Sequence, residues 1–482
     1  MIKILIEKEL KSILLSPKFI AVFSVCSILI LLSIYIGIQD YRAAMAHYET
    51  VTAQGEQQMQ DETSWQALRP GVTRYPNPMQ IFVSGIQNDI GRQATISSYG
   101  TVKLNNSNYS ENIIFAVFRS MDLMFIVQIV LSLFAILFTY DAINGERETG
   151  TLKLNFANPI PRTSYIVAKF IGSWLGLVIP LLIPVLLGIA LVLLCKIPIT
   201  ASYWQQLGMF IGLSILYFSF FICLGVLVSS MTRQSAGSFL YLLVIWVSIV
   251  LIIPRAGVMI AGQFVPVPTA AEISSKLSQK RNEFYEQYRK KMDEENEKQD
   301  KAYENLYRDM SLTKEEKQKR SKELSDQYRT KIDEEQGKYQ QKVAVYDATL
   351  NEDWRNRKAV REKLGFSLSR ISPASAYQLA AMDLAETGMS LKTNYEDQIR
   401  AYSDVFNKFR SKKNAETDNS FNLMSDKKPE PLDLSEMPKF RYINPDLGKI
   451  LQFTVIDTAI LSGYIILIIA GTFIAFIRYD VR

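Results

Sequence analysis

The stretch Lys169-Phe-Ile-Gly-Ser-Trp-Leu-Gly-Leu-Val-Ile-Pro-Leu-Leu-Ile-Pro-Val-Leu-Leu-Gly-Ile-Ala-Leu-Val-Leu-Leu194 contains no charged residue after its first position. An α-helix needs about 17–25 apolar residues to cross a hydrocarbon core of ~30 Å. A helix in a soluble core rarely runs that far without a charged face. Five further runs have similar length and composition, at residues 19–38, 121–140, 207–228, 236–253 and 453–477. Together they predict an α-helical polytopic membrane protein with six transmembrane helices. The mean hydropathy of +0.04 hides this, because apolar spans and polar insertions cancel.

The totals exclude several functions. A net charge of +6, from 54 basic and 48 acidic residues that are interleaved along the chain, gives no basic block for nucleic acid. The cysteines Cys26, Cys195 and Cys223 lie in or beside apolar runs, so no loop disulfide is expected. The single histidine, His47, cannot build a His-rich metal site, and neither H-E-x-x-H nor C-x-x-C occurs. There is no G-x-S-x-G nucleophile turn and no G-x-x-x-x-G-K-[ST] loop. The expectation is no catalytic residue, no metal and no cofactor bound by this chain. The first apolar run has no small-residue cleavage site and reads as a retained helix.

Basic residues place the short loops. Lys3, Lys8, Lys11 and Lys18 precede the first span, Arg147, Lys153, Arg162 and Lys169 follow the second, Arg233 follows the fourth, and Arg478 and Arg482 lie in the tail at 478–482. The positive-inside rule puts all of these, and both termini, in the cytoplasm. Two large insertions, 39–120 and 254–452, then fall outside. Within 1–18, Ile2, Ile6, Leu10 and Ile13 recur at helical spacing with Lys3, Glu7, Lys8 and Lys11 opposite. That pattern predicts an amphipathic interfacial helix against membrane lipid, ended by Ser16-Pro17.

The second insertion is mostly helical. Phe284, Tyr288 and Met292, then Tyr303, Leu306, Tyr307 and Met310, then Leu324, Tyr328, Ile332, Tyr339, Val343, Tyr346 and Leu350 form an apolar stripe in a charged background. The spacing predicts a long antiparallel helical hairpin over about 271–350. Its turn lies near Ser311, and Thr313 with Glu316 forms a capping box. Arms of about 38 residues would each be roughly 55–60 Å long. A short apolar helix near the membrane surface follows Ile371-Ser372-Pro373, and 418–438 reads as irregular. In the first insertion, Tyr75-Pro76-Asn77-Pro78 is a turn signal and 79–83 a β-like run, suggesting a small mixed module. Asp457 lies near the outer end of the last span as a possible intramembrane polar site. Arg119 and Asp122 are expected as interface anchors, and Pro180 and Pro184 are expected to kink or loosen the third span.

The loop at 141–168 carries the most informative motif, Glu146-Arg147-Glu148-Thr149-Gly150-Thr151-Leu152, followed by Pro159, Arg162 and Lys169. It reads as a short amphipathic element able to dock on a partner, with its acids and Arg147 at the rim. This segment resembles the coupling region of permease subunits of type-2 ABC exporters, patterned E-R-E-x-G-T-L, P-x-x-R and a Lys entering the third span. The interfacial helix, the six spans, the short loop at 229–234 and the ending Phe476-Ile477-Arg478-Tyr479-Asp480 match as well. The large second insertion resembles a bacterial subgroup, whereas most members have a much shorter loop there.

The resemblance implies a permease in the bacterial cytoplasmic (inner) membrane. It implies ATP and Mg on a separate ABC ATPase subunit present in two copies, and a second permease subunit, identical or paralogous. Glu146, Arg147, Glu148, Thr149, Gly150, Thr151, Leu152 and Arg162 would couple to that ATPase. The alternative is an ATPase-driven mechanotransmission device acting on an envelope partner through the hairpin, without solute transport.

Overall fold

The computed structural model describes residues 2–65, 67–87, 92–96, 102–105, 121–157, 160–418 and 432–477. Arg119, Pro159 and the tail 478–482 lie outside the described residues. The described residues are overwhelmingly α-helical, and six helices among them are long and apolar enough to cross a membrane. It divides into two units, residues 1–255 with 369–482, and residues 256–368.

In the first unit, α1 (Ile2–Leu14) and α2 (Pro17–Gln60) are separated at Ser16, whose hydroxyl accepts from the Phe19 amide and caps α2. At 44 residues, α2 runs well past the apolar stretch 19–38 into the first insertion. Next come β1 (Gly71–Thr73), β2 (Gln93–Ile96) and β3 (Val102–Asn105), an antiparallel sheet in the order β1-β2-β3. The expected strand at 79–83 is instead a buried 3-10 turn, Pro78–Ile81. Asn77 Oδ1 accepts from the Met79 amide there, and Pro78 fixes the first φ.

The span α3 joins Leu123–Phe125, a π-helical Ile126–Leu131 and Ser132–Thr139. Asp122 is not an exposed interface anchor: it is buried, caps α3 through the Phe125 amide and accepts from the Ser84 amide and hydroxyl. Two short helices, α4 (Asn144–Glu148) and α5 (Thr151–Ala157), precede α6 (Arg162–Leu194). Pro180 and Pro184 sit within α6 without interrupting its helical assignment. Then follow α7 (Ala201–Met231) and α8 (Ser235–Val247, continued as a π-helix over Ser248–Ile252).

After the second unit the chain returns with α12 (Pro373–Leu384), α13 (Met389–Asp418) and α14 (Leu447–Ile477). The intervening helices are described below. The core sits on α3 and α7, whose apolar windows are 67% and 61% buried, against 17–28% for α2, α8 and α14. Tyr217, Phe221, Phe134 and Phe210 are almost fully buried there. α12 is more than a surface helix, because Ala374, Ala376, Tyr377, Ala380 and Ala381 are wholly buried and Tyr377 stacks on Tyr217 at 4.4 Å. Its small residues allow that close approach to α7 and α14.

Hydroxyls bond a carbonyl within each π-helical turn. Gln128 O accepts from Tyr217 at 3.0 Å and Ser132 at 2.7 Å, and Ile249 O accepts from Ser372 at 2.5 Å.

The second unit is a helical hairpin. α9 (Ile253–Phe264) ends at Val265-Pro266-Val267-Pro268, α10 (Ala270–Arg308) forms one arm, and α11 (Lys314–Ser369) the other. The arms are unequal, 39 and 56 residues, or about 58 and 84 Å. Two prolines break the first side, while no proline stops the second, which continues beside α9 with Gly365 in contact distance of Ala261. The turn at 309–313 ends in the expected box: Glu316 Oε2 accepts from the Thr313 amide at 3.0 Å, and Thr313 Oγ1 accepts from the Glu316 amide at 3.4 Å. Lys291–Glu335 and Lys331–Glu295 fix the register, with Tyr288 against Tyr339 at 5.4 Å.

Candidate coupling site

The motif at 144–152 folds as two short helices around Gly150, whose φ of +74° is the left-handed turn glycine adopts without cost. The Gly150 amide donates to Arg147 O, Thr149 Oγ1 to Gly145 O, and Thr151 Oγ1 to Glu146 O. Leu152 is buried with Ile143, Tyr165, Ile166 and Phe476, which anchors α5 to α6 and the end of α14. Phe476 stacks on Tyr165 at 5.4 Å, and Arg162 Nη1 donates to the terminal carbonyl of Ile477 at 2.6 Å.

Glu146 is the hub. Its Oε2 accepts from Tyr165 at 2.7 Å and Asn155 at 2.8 Å, and its Oε1 from Lys169 at 3.0 Å and Lys8 at 3.2 Å. Lys169 also pairs with Glu9 at 2.6 Å and is only 7% exposed. One carboxylate and one ammonium thus bind α1, α4, α5 and α6 together. The joint needs Gly172, since a Cβ there would lie 2.6 Å from that of Glu9. On α1, Lys11 bonds Glu7 at 2.8 Å and holds its carboxyl below the ordinary value, while Lys3 is exposed.

Glu148 faces the other way. Its carboxylate accepts from the Ser235 amide at 2.8 Å and hydroxyl at 2.7 Å, at the positive end of α8. Asn144 and Ser229 complete that contact: Ser229 Oγ accepts from the Ile143 amide and Asn144 Nδ2 donates to Thr232. The loop at 229–235 is therefore part of the site. Both acids expected at a docking rim are engaged within the chain. The side chains left outward are Thr149, Lys153 and Leu154, the last 69% exposed, while Arg147 is half-buried. Glu9, Asn155, Tyr165 and Ser235 were not singled out by the motif. A lysine opening an apolar run demands a buried acid, and that demand is the signal that could have led to Glu9.

Asp457 lies apart from this site. It is fully buried, and Arg370 grips it side-on, Nε–Oδ1 at 2.6 Å and Nη2–Oδ2 at 3.2 Å. The acid noted in the last span is thus half of a buried ion pair, and the Tyr464 hydroxyl donates to Ile371 O, beside Arg370 in sequence, at 2.7 Å.

These features define a multi-pass α-helical membrane protein whose short inter-span links are folded into one ion-paired joint. Residues 3–481 match the model of the ABC-2 family transporter proteins, and the chain belongs to that family. It is also 32% identical over 130 residues to a probable ABC transporter permease protein, NosY, of Pseudomonas aeruginosa. That match covers 26% of this chain and 46% of the relative's length.

Proposed function

We propose that this chain is the permease subunit of an ATP-driven transporter in the bacterial cytoplasmic membrane, moving a substrate across or out of that membrane. ATP and Mg bind a separate ATPase, present in two copies, and a second permease subunit, identical or paralogous, completes the complex. Both termini and the 141–162 link face the cytoplasm. The observation that carries this reading is the Glu146–Lys169–Glu9 joint. A push on α4 and α5 from a partner passes through buried ion pairs into α6 and α1, and through Glu148 into α8. The outward Leu154 suits a partner's apolar groove, while the acids transmit.

The test separates docking from transmission. Leu154→Asp should abolish copurification with the ATPase, whereas Glu146→Gln should retain the complex and lose ATP-dependent function. A full complex with Leu154→Asp would overturn this docking assignment.

The hairpin's own construction favours a second reading, in which ATPase-driven motion acts on an envelope partner. Its capped turn and cross-arm ion pairs make a stiff element longer than a connecting loop needs to be. A register-matched deletion of residues 296–328 should preserve the ATPase complex and abolish cellular function. Wild-type function in that deletion would remove the hairpin from the mechanism.

A further inference from the structure

Arg74, directly after β1, is 2% exposed. Among the described residues, neither its Nε nor its Nη2 has a hydrogen-bond partner. Those two atoms form the side-on fork that fits a carboxylate. Leaving such donors buried and unanswered is costly, and burial pushes the guanidinium below its ordinary value.

Glu386, in the loop between α12 and α13, is 4% exposed and is held at a φ of +54°, which a non-glycine residue adopts only under constraint. Its Oε1 accepts from Gln206 Nε2 of α7 at 2.7 Å. Gln206 Oε1, also buried, has no partner. The Gln206 side chain presents NH2 donors and a carbonyl acceptor; a carboxylate can answer only the donors, whereas a protonated carboxyl can answer both. The loop is braced by the first insertion: Asn77 Nδ2 donates to Ala385 O, and the Ile86 amide donates to Thr387 O at 2.9 Å.

The groups around Glu386 are known. Arg74 acts on it from β1, Tyr203 from α7 and Tyr442 from the chain leading to α14, while Tyr395 of α13 lies over Arg74 with its ring centre at 5.8 Å. Arg92, in turn, is close enough for the Arg74 charge to act on it.

We propose that Glu386 is a proton-operated latch with two positions: protonated, it pairs with Gln206 on α7, and ionised, it turns to the Nε–Nη2 fork of Arg74. Losing the proton to solvent would release α7 from the 385–388 loop and tie that loop to β1. Burial, opposed by the Gln206 bond and the Arg74 charge, pushes the carboxyl up to about 7. The sign follows: the Gln206-bound position is favoured below that pH and gives way as pH rises through it. This inference does not depend on what the protein transports.

The experiment is hydrogen exchange of the full-length protein in lipid nanodiscs between about pH 6 and pH 8.5, corrected for intrinsic amide chemistry. Wild type should show an exchange change of about tenfold in the 385–391 and 71–75 segments, centred near pH 7, as expected when one proton sets the balance. Glu386→Gln should hold the low-pH pattern throughout, and Glu386→Asp should retain a transition. A flat wild-type profile would overturn the latch without recourse to any variant, as would a Glu386→Gln profile that matches wild type.

Discussion

Lys169 and Lys291 each bond a glutamate at about the same distance, 3.0 Å to Glu146 and 2.9 Å to Glu335, but their settings differ. Lys169 is 7% exposed and shares two acids, whereas Lys291 is 56% exposed on a helix lined with similar pairs. The same chemistry therefore has two uses. In the Glu146–Lys169–Glu9 joint, removing a charge leaves its partner short of a counter-charge in a low-dielectric setting. Along the hairpin, exposed pairs set the register collectively, and each contributes little by itself.

The largest expected effect tests the first half of that contrast. Lys169→Met should cost about 3–5 kcal/mol by stranding Glu9 and taking the buried cation from Glu146, read as loss of thermal stability and protease exposure of α1. If the melting transition is unchanged, the joint is not the clamp its geometry describes. The smallest effect tests the other half. Lys338, on the same arm, and then Lys291, across the hairpin, hold the Glu335 carboxyl down at about 2, against an ordinary 4.5. A depressed carboxyl supports the fold above its unfolded value and loses that support as pH falls. Circular dichroism should therefore show cross-arm order declining between about pH 4.5 and 2 in wild type, and less steeply in Glu335→Gln. Identical acid profiles would show that this pair does not contribute to the register.

Much of this was legible in the sequence because the forces concerned are local or summed over long runs. Apolar length exposed all six spans, and the Thr313–Glu316 spacing located the hairpin turn. The 79–83 run misled because alternating apolar residues also suit a buried turn, and Asn77 and Pro78 decided in favour of the turn. The second arm was read too short because the apolar stripe fades after Leu350, although nothing there breaks a helix. The coupling motif was visible, but its direction was not. Glu9 and Lys169 lie 160 positions apart, and only the packing of α1 on α6 shows that Glu146 faces inward. Asp457 was visible, but its pairing with Arg370 was concealed for the same reason.

The wide turns in α3 and α8 have a consequence for how these helices are read and altered. Each inserts about one residue beyond the regular repeat, which rotates everything beyond it by roughly 100°. Side chains on either side of Ile126–Leu131 therefore belong to different phases of one helix, and an apolar stripe traced straight through it would point to the wrong neighbours. Trp246, just ahead of the second wide turn, donates to Ser132, just beyond the first, at 2.8 Å. Deleting one residue within either turn would restore the ordinary repeat and move that donor and acceptor out of phase.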